Sequence, residues 1–151
     1  MKLLSRLVCT VSILMIIGTT SFGQLYDHAL GLRGGVGATV TYKKFVSEPL
    51  AFEAILGLYD YDYFGLGLLL EKHKYVGDLN RLLWYWGVGP YVTFGDNFTG
   101  VGVSGALGLD LSFEAIPIDI TLDWLPRLRL VGGGRFLPSG GGIGIRYIID
   151  Y

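Results

Sequence analysis

The side chains able to do chemistry in this chain are ionisable groups that step in twos. Arg33, Glu53, Glu71, Asp110, Asp119, Asp123 and Arg146 each fall at an alternate position in a stretch where apolar residues alternate with small or polar ones. All seven therefore share the minority face of what reads as strands, and Arg127 and Arg129 join them there. Carboxylates and guanidinium groups on one face can pair, relay protons or line a pore. His28 and His73 are the only histidines in the sequence, and two lone imidazoles do not make a metal set. The plain role of His73 is a hydrogen bond to Glu71, two residues away on the same face. Asp60 and Asp62 alternate with Tyr59, Tyr61 and Tyr63; two carboxylates are too few for a calcium site, and the segment reads as a solvated turn. Gly100, Gly102 and Gly105 have dinucleotide-fingerprint spacing, but that motif needs a strand followed by a helix, and here the alternation runs on to Phe113. Gly34-Gly35 lacks the Lys and Ser or Thr of a phosphate loop, and Asn97-Phe98-Thr99 is a sequon by pattern only. No catalytic residue, metal site or cofactor is expected.

The elements that position these groups are constrained by an unusual composition. Among 151 residues there are 24 glycines and 10 tyrosines, only 17% of the chain is charged, and the mean hydropathy is +0.48. A soluble domain averages about 7% glycine. The formal charge is -1 and the basic residues are scattered, which excludes nucleic acid as a partner. Lys2 and Arg6, the apolar run Leu7 to Ile17 and the small residues of Ser21-Phe22-Gly23 predict a cleavable signal peptide over 1–23, with cleavage before Gln24. That run is too short for a spanning helix, which needs about 18 to 20 residues. The single cysteine, Cys9, lies inside the leader, so neither disulfides nor thiol chemistry are expected of the domain over 24–151.

Within that domain the sequence repeats a period-two stretch followed by a short turn rich in Gly, Pro, Asp or Asn, which predicts consecutive antiparallel strands. The stretches are Leu30 to Tyr42, Ala51 to Leu58, Phe64 to Lys74, Leu82 to Phe94, Gly100 to Phe113, Ile118 to Trp124, Arg127 to Leu130 and Gly142 to Tyr151. Tyr75 is read as a loop residue. Pro90 cannot donate to a ladder and predicts a bulge or an irregular rim. Leu125-Pro126 is taken as a turn, although the alternation passes through it unbroken and one long strand from Ile118 to Leu130 also satisfies the pattern. Eight is the usual minimum for a single-chain barrel, and ten strands of about ten residues plus turns do not fit. The expected fold is thus all-β, an eight-stranded antiparallel up-and-down transmembrane β-barrel.

Face volumes decide which side is outside. One face of nearly every strand is Leu, Ile, Val or aromatic, and the other is Gly, Ser, Thr and charge. An eight-stranded barrel has an interior only wide enough for side chains to fill, so the large apolar residues belong outside and the charges inside. Tyr42, Phe64, Trp84, Phe94, Phe113, Trp124, Tyr147 and Tyr151 gather near strand ends, where interface girdles form. With its leader, alternating hairpins and closing segment ending on Tyr147, Ile149 and Tyr151, the chain resembles the small outer-membrane β-barrel proteins of Gram-negative bacteria.

The resemblance implies insertion into outer-membrane lipid, recognition of Tyr147, Ile149 and Tyr151 by the barrel-assembly machinery, and a monomer with a structural or interaction role in the envelope. Its lumen is expected to be plugged by Arg33, Glu53, Glu71, Asp110, Asp119, Asp123 and Arg146, with carboxylates reaching Arg33 and Arg146 from across the lumen. The short turns do not suit adhesion through long loops. A narrow porin-like channel and a lipid-A-modifying enzyme are the alternatives. A lipid-A deacylase of barrel type pairs a His with a Ser two residues away, whereas Glu71 and Tyr75 flank His73 at that spacing. Removing Tyr151 should lower the yield of assembled barrel more than a polar substitution at Tyr75 does, measured by gel mobility in detergent with and without boiling; equal yields would refute the terminal signal.

Overall fold

Strict two-residue alternation is satisfied by extended backbone whose two faces meet different surroundings, and the chain is built almost entirely of such backbone. The computed structural model describes residues 26–150; the leader expected over 1–23 and the terminal Tyr151 lie outside them. The strands are β1 (His28–Gly35), β2 (Gly37–Ser47), β3 (Leu50–Tyr59), β4 (Tyr63–Val76), β5 (Leu79–Gly95), β6 (Phe98–Ser112), β7 (Ile118–Trp124), β8 (Arg127–Val131), β9 (Arg135–Leu137) and β10 (Gly141–Asp150). Each pairs antiparallel with its neighbours, in the order β5-β4-β3-β2-β1-β10-β7-β6, and a β5–β6 pairing closes the ring. β8 and β9 continue the β7 and β10 walls, so the barrel is closed and eight-stranded, and the three-residue β9, paired to β8 alone, has one unpaired side.

The count of eight agrees with the sequence, but two of its expected strands are corrected. Leu30 to Tyr42 is not one strand; it is the β1–β2 hairpin, folded about Val36 with Gly35 opposite Gly37. Both glycines take positive φ, +141° and +124°, which side-chain-bearing residues rarely adopt. Paired residues on antiparallel strands point to the same side, and Gly35 and Gly37 are two apart. The alternation therefore passes through the turn without a break. At Leu125-Pro126 the expected turn is absent. Leu107 faces Trp124 and Ser104 faces Arg127 on one continuous register, and the Gly105 N–H donates to the Pro126 carbonyl at 2.8 Å. β7 and β8 are thus one wall strand, and the two departures cancel in the total.

Two smaller expectations also change. Pro90 makes no bulge: β5 keeps one register against β6 from Leu82 to Gly95, and toward β4 only the rungs of Leu68 and Leu69 are missing. Tyr75 lies in β4 opposite Leu83 and is not in a loop.

The faces fall as the volume argument requires. Leu30, Leu32, Leu107, Leu109, Ile143 and Ile145 are exposed on the outer wall, while Arg33, Glu53, Glu71, Asp110, Asp119, Asp123 and Arg146 are buried inside it. Small wall residues let the strands approach. At Gly102 a Cβ would run into the Leu128 carbonyl on β8, whereas at outward-facing Gly34 it would meet nothing within 4 Å. Gly102→Val should therefore destabilise the barrel by about 1–3 kcal/mol, the usual cost of overpacking, and Gly34→Val by much less. Unfolding midpoints in urea and detergent read the difference; equal midpoints would contradict the β6–β8 register.

Candidate functional site

The lumen is layered, and the layers follow from the order of inward residues along each strand. From the end where β1 begins and β10 finishes, β2 presents Phe45 then Lys43, β3 presents Ala51, Glu53 and Ile55, and β10 presents Ile148 then Arg146. An apolar cluster of Tyr26, Ala29, Phe45, Ala51, Leu83 and Ile148 closes this end. A second cluster of Ile55, Tyr59, Leu69, Tyr85, Ala106 and Leu125 crosses the barrel further along. Between them lies the charge cluster. Five of the expected lumen residues meet in it: Glu53, Glu71, Asp110, Asp119 and Arg146.

Arg146 and Lys43 hold that cluster together. Arg146 Nη1 pairs with Asp119 Oδ2 at 3.0 Å, Nε donates to Thr41 Oγ1 at 3.1 Å, and Nη2 pairs with Glu53 Oε1. Lys43 Nζ lies 2.7 Å from Glu71 Oε2, 3.5 Å from Asp110 Oδ2 and 3.8 Å from Glu53 Oε2. It also sits 4.1 Å from the centre of the Tyr85 ring, a cation–π distance. Buried charges persist when paired and hydrogen-bonded, and here each cation serves more than one acid. Tyr26 completes the cluster from the closed end, donating from Oη to Asp110 Oδ2 at 3.1 Å.

Arg33 and Asp123, the other two expected residues, form a separate pair. Arg33 Nη2 is 2.5 Å from Asp123 Oδ1 and donates to the Gly140 carbonyl at 2.6 Å. Tyr85 links the two groups: Oη donates to Asp123 Oδ2 at 3.2 Å, and its ring stacks on His73 at 4.8 Å. At the far end Arg127 pairs with Asp60 at 2.7 Å and lies over the rings of Tyr59 and Tyr91. Asp60 is therefore tied into the barrel mouth, which corrects its reading as a solvated turn residue; Asp62 is exposed. Tyr147 and Ile149 point outward from β10, more than half exposed at 57% each.

Arg33 finds its carboxylate along the wall and not, as expected, across the lumen, whereas Arg146 has both kinds of partner, Asp119 beside it and Glu53 on β3, three strands round the ring of eight. Asp119 is the direct register neighbour of Arg146, and Asp123 is one strand beyond β10 from Arg33. Neighbouring glycines make room for both side chains. Gly31 sits opposite Arg146, and a Cβ there would come within 2.7 Å of the Arg146 Cγ; a Cβ at Gly142 would lie 2.6 Å from the Arg33 guanidinium carbon. Gly108 clears space for the Tyr85 ring in the same way.

The sequence reading missed Lys43 and Tyr26. Both are fully buried. Carrying the odd-numbered inward parity of Thr39 and Thr41 two residues further would have found Lys43. Tyr26 precedes β1, where no alternation marks it. The expected His73–Glu71 hydrogen bond is also corrected, since the two groups stand 3.6 Å apart and Lys43 takes the carboxylate. No family model, curated protein or solved structure matches the chain, and what it does is read from its own geometry.

Lys43→Met strands Glu71 and Asp110 without their nearest cation and should cost about 3–5 kcal/mol, as removing one partner of a buried pair does. Adding Glu71→Leu should recover much of that loss, because an apolar replacement of a whole pair is often neutral. Unfolding in urea and detergent tests both variants. A double variant no more stable than Lys43→Met would mean that the pair is not the coupled unit described.

Proposed function

We propose that the protein is an outer-membrane β-barrel of the bacterial envelope, exported by its signal peptide, with a structural or interaction role and no catalytic one. One observation carries this reading: a closed barrel with an apolar outer wall has a lumen filled by mutually paired charges between two apolar layers. An outer wall bearing Leu, Ile and Trp at roughly half exposure is costly in water and suits hydrocarbon. The interior supports a plug, because a conducting path needs charges free to meet ions, and those of the central layer are engaged with one another. His73 is packed against Phe45 and Tyr85 beside Lys43, an arrangement that holds a ring in place without presenting it to a substrate. The outward aromatic face of β10, with Tyr147 and Ile149, supports recognition by the assembly machinery, and a closed ring whose unpaired strand side is confined to the three-residue β9 supports a monomer.

Reconstitution tests the proposal. The purified chain should insert into phosphatidylcholine vesicles as a barrel whose gel mobility shifts on boiling, and in planar bilayers it should give no steady conductance. Regular single-channel openings would sink the plugged-lumen reading in favour of a channel, and failure to associate with vesicles would sink the membrane reading.

A further inference from the structure

The outer wall carries a second, smaller pattern. Three lysines stand on the outer wall, Lys44 on β2 and Lys72 and Lys74 on β4, and the nearest strand carboxylate is Asp150 at the end of β10, opposite His28 and two strands from Lys44. All three are exposed. They lie toward the ends of their strands, at the rim where β1 begins and β10 finishes. Each stands opposite a ring: Lys44 faces Phe52, Lys72 faces Trp86 and Lys74 faces Trp84. The outward face of β1 adds His28 opposite Lys44, with its ring bonded to Tyr42 Oη at 2.6 Å. The lysines take part in no ion pair or hydrogen bond among the described residues.

Resting on the membrane reading above, we propose that this lysine–tryptophan sector binds the phosphate headgroups of anionic phospholipids in the leaflet on the side of the described chain ends. Phe52, which faces Lys44, also faces Leu70, so Lys72 lies one outward position further on. At ordinary sheet spacing this places Lys44 and Lys72 about 10 Å apart across the strands and about 7 Å along them. Ammonium groups so arranged, on long stems rooted in an apolar wall, extend to the level of the headgroups while their methylenes stay in hydrocarbon. Tryptophan rings beside them favour the same depth.

A lipid fits this sector better than an acidic protein does. Leu50, Leu70 and Trp86 surround the lysines on the side of the barrel, so a water-borne partner would have to enter the apolar wall to reach them. The acids at this rim lie at or beyond the strand ends and nearer water: Glu48, Asp78 and Glu114 in the turns, Asp27 just before β1 and Asp150 at the end of β10. At the opposite rim the outward strand positions hold Phe64, Phe94 and Phe136 and no charge. The two ends of the barrel therefore differ in the headgroups they attract.

Fluorescence quenching in phosphatidylcholine vesicles tests this on the full chain. In a Trp124→Phe background the signal comes from Trp84 and Trp86, and brominated phosphatidylglycerol is compared with brominated phosphatidylcholine at the same minor fraction. The anionic lipid should associate at least about tenfold more strongly, given roughly 1 kcal/mol per lysine at a membrane surface. The preference should fall to about one in Lys44→Gln/Lys72→Gln/Lys74→Gln, with the gel-mobility shift on boiling retained to show that this variant is folded, and added salt should weaken it in the parent. Equal quenching by the two lipids in the parent, or a preference that survives the triple substitution, would overturn the proposal while leaving the membrane reading intact. A chain that stays in the aqueous phase would overturn both.

Discussion

The structure depends on the narrowness of a ring of eight strands. Such a ring has room inside for side chains and little else, so a charge pointing inward must find its counter-charge among the side chains that share the space. Four buried cations, Arg33, Lys43, Arg127 and Arg146, face five buried carboxylates, Glu53, Glu71, Asp110, Asp119 and Asp123. The balance is close, and Asp60 at the rim takes Arg127. A buried pair contributes little net stability, but losing one member costs several kcal/mol. The lumen charges therefore act as a constraint on arrangement more than as a source of stability.

That constraint explains the glycines better than backbone freedom does. A narrow barrel leaves a long inward side chain little free length toward the axis, so some of them lie along the sheet. Lying flat requires that the residue beside it be absent in all but backbone. Gly31 beside Arg146, Gly142 under Arg33, Gly108 under Tyr85 and Gly87 beside Glu71 meet that need. Ion pairs consequently run along the wall, as from Arg33 to Asp123 and Arg146 to Asp119, as well as across the lumen, as from Lys43 to Asp110 and Arg127 to Asp60. Composition alone shows that glycine is abundant, whereas only register shows which glycine makes room for which charge.

What was legible in the sequence was whatever depends on period two. Inside and outside faces, the closed all-β architecture and the set of inward charges all follow from alternation, because burial of one face enforces it residue by residue. What alternation could not show was any event that preserves parity. The hairpin at Val36 is one such event, as its two flanking glycines face each other two residues apart. Pro126 misled in the opposite direction: a residue without an N–H reads as a stop, but here its carbonyl accepts the bond from Gly105 and the strand continues. Lys43 was missed because its segment was ended one residue early, at Tyr42. Which ions pair depends on separations in sequence of up to 93 residues, as between Glu53 and Arg146, and no local pattern carries that.

The two faces also divide the work of specifying register. A slip of one residue between neighbouring strands turns every apolar side chain inward and is forbidden by the outer wall alone. A slip of two residues leaves that wall just as apolar, since Ile143 would take the place of Ile145 and Leu30 that of Leu32. Only the inner face distinguishes these alternatives. Moving β10 by two against β7 would set Arg146 beside Thr121 and Asp119 beside Ile148 in one direction, or Arg146 beside Pro117 and Asp119 beside Gly144 in the other, and moving it by two against β1 would place Arg146 beside Arg33 or Ala29 in place of Gly31. Each slip would leave a buried charge without its partner or without the space to reach it. The outer wall thus determines that the chain closes with its apolar face outward, and the charge and glycine pattern of the lumen determines which of the even registers it closes in.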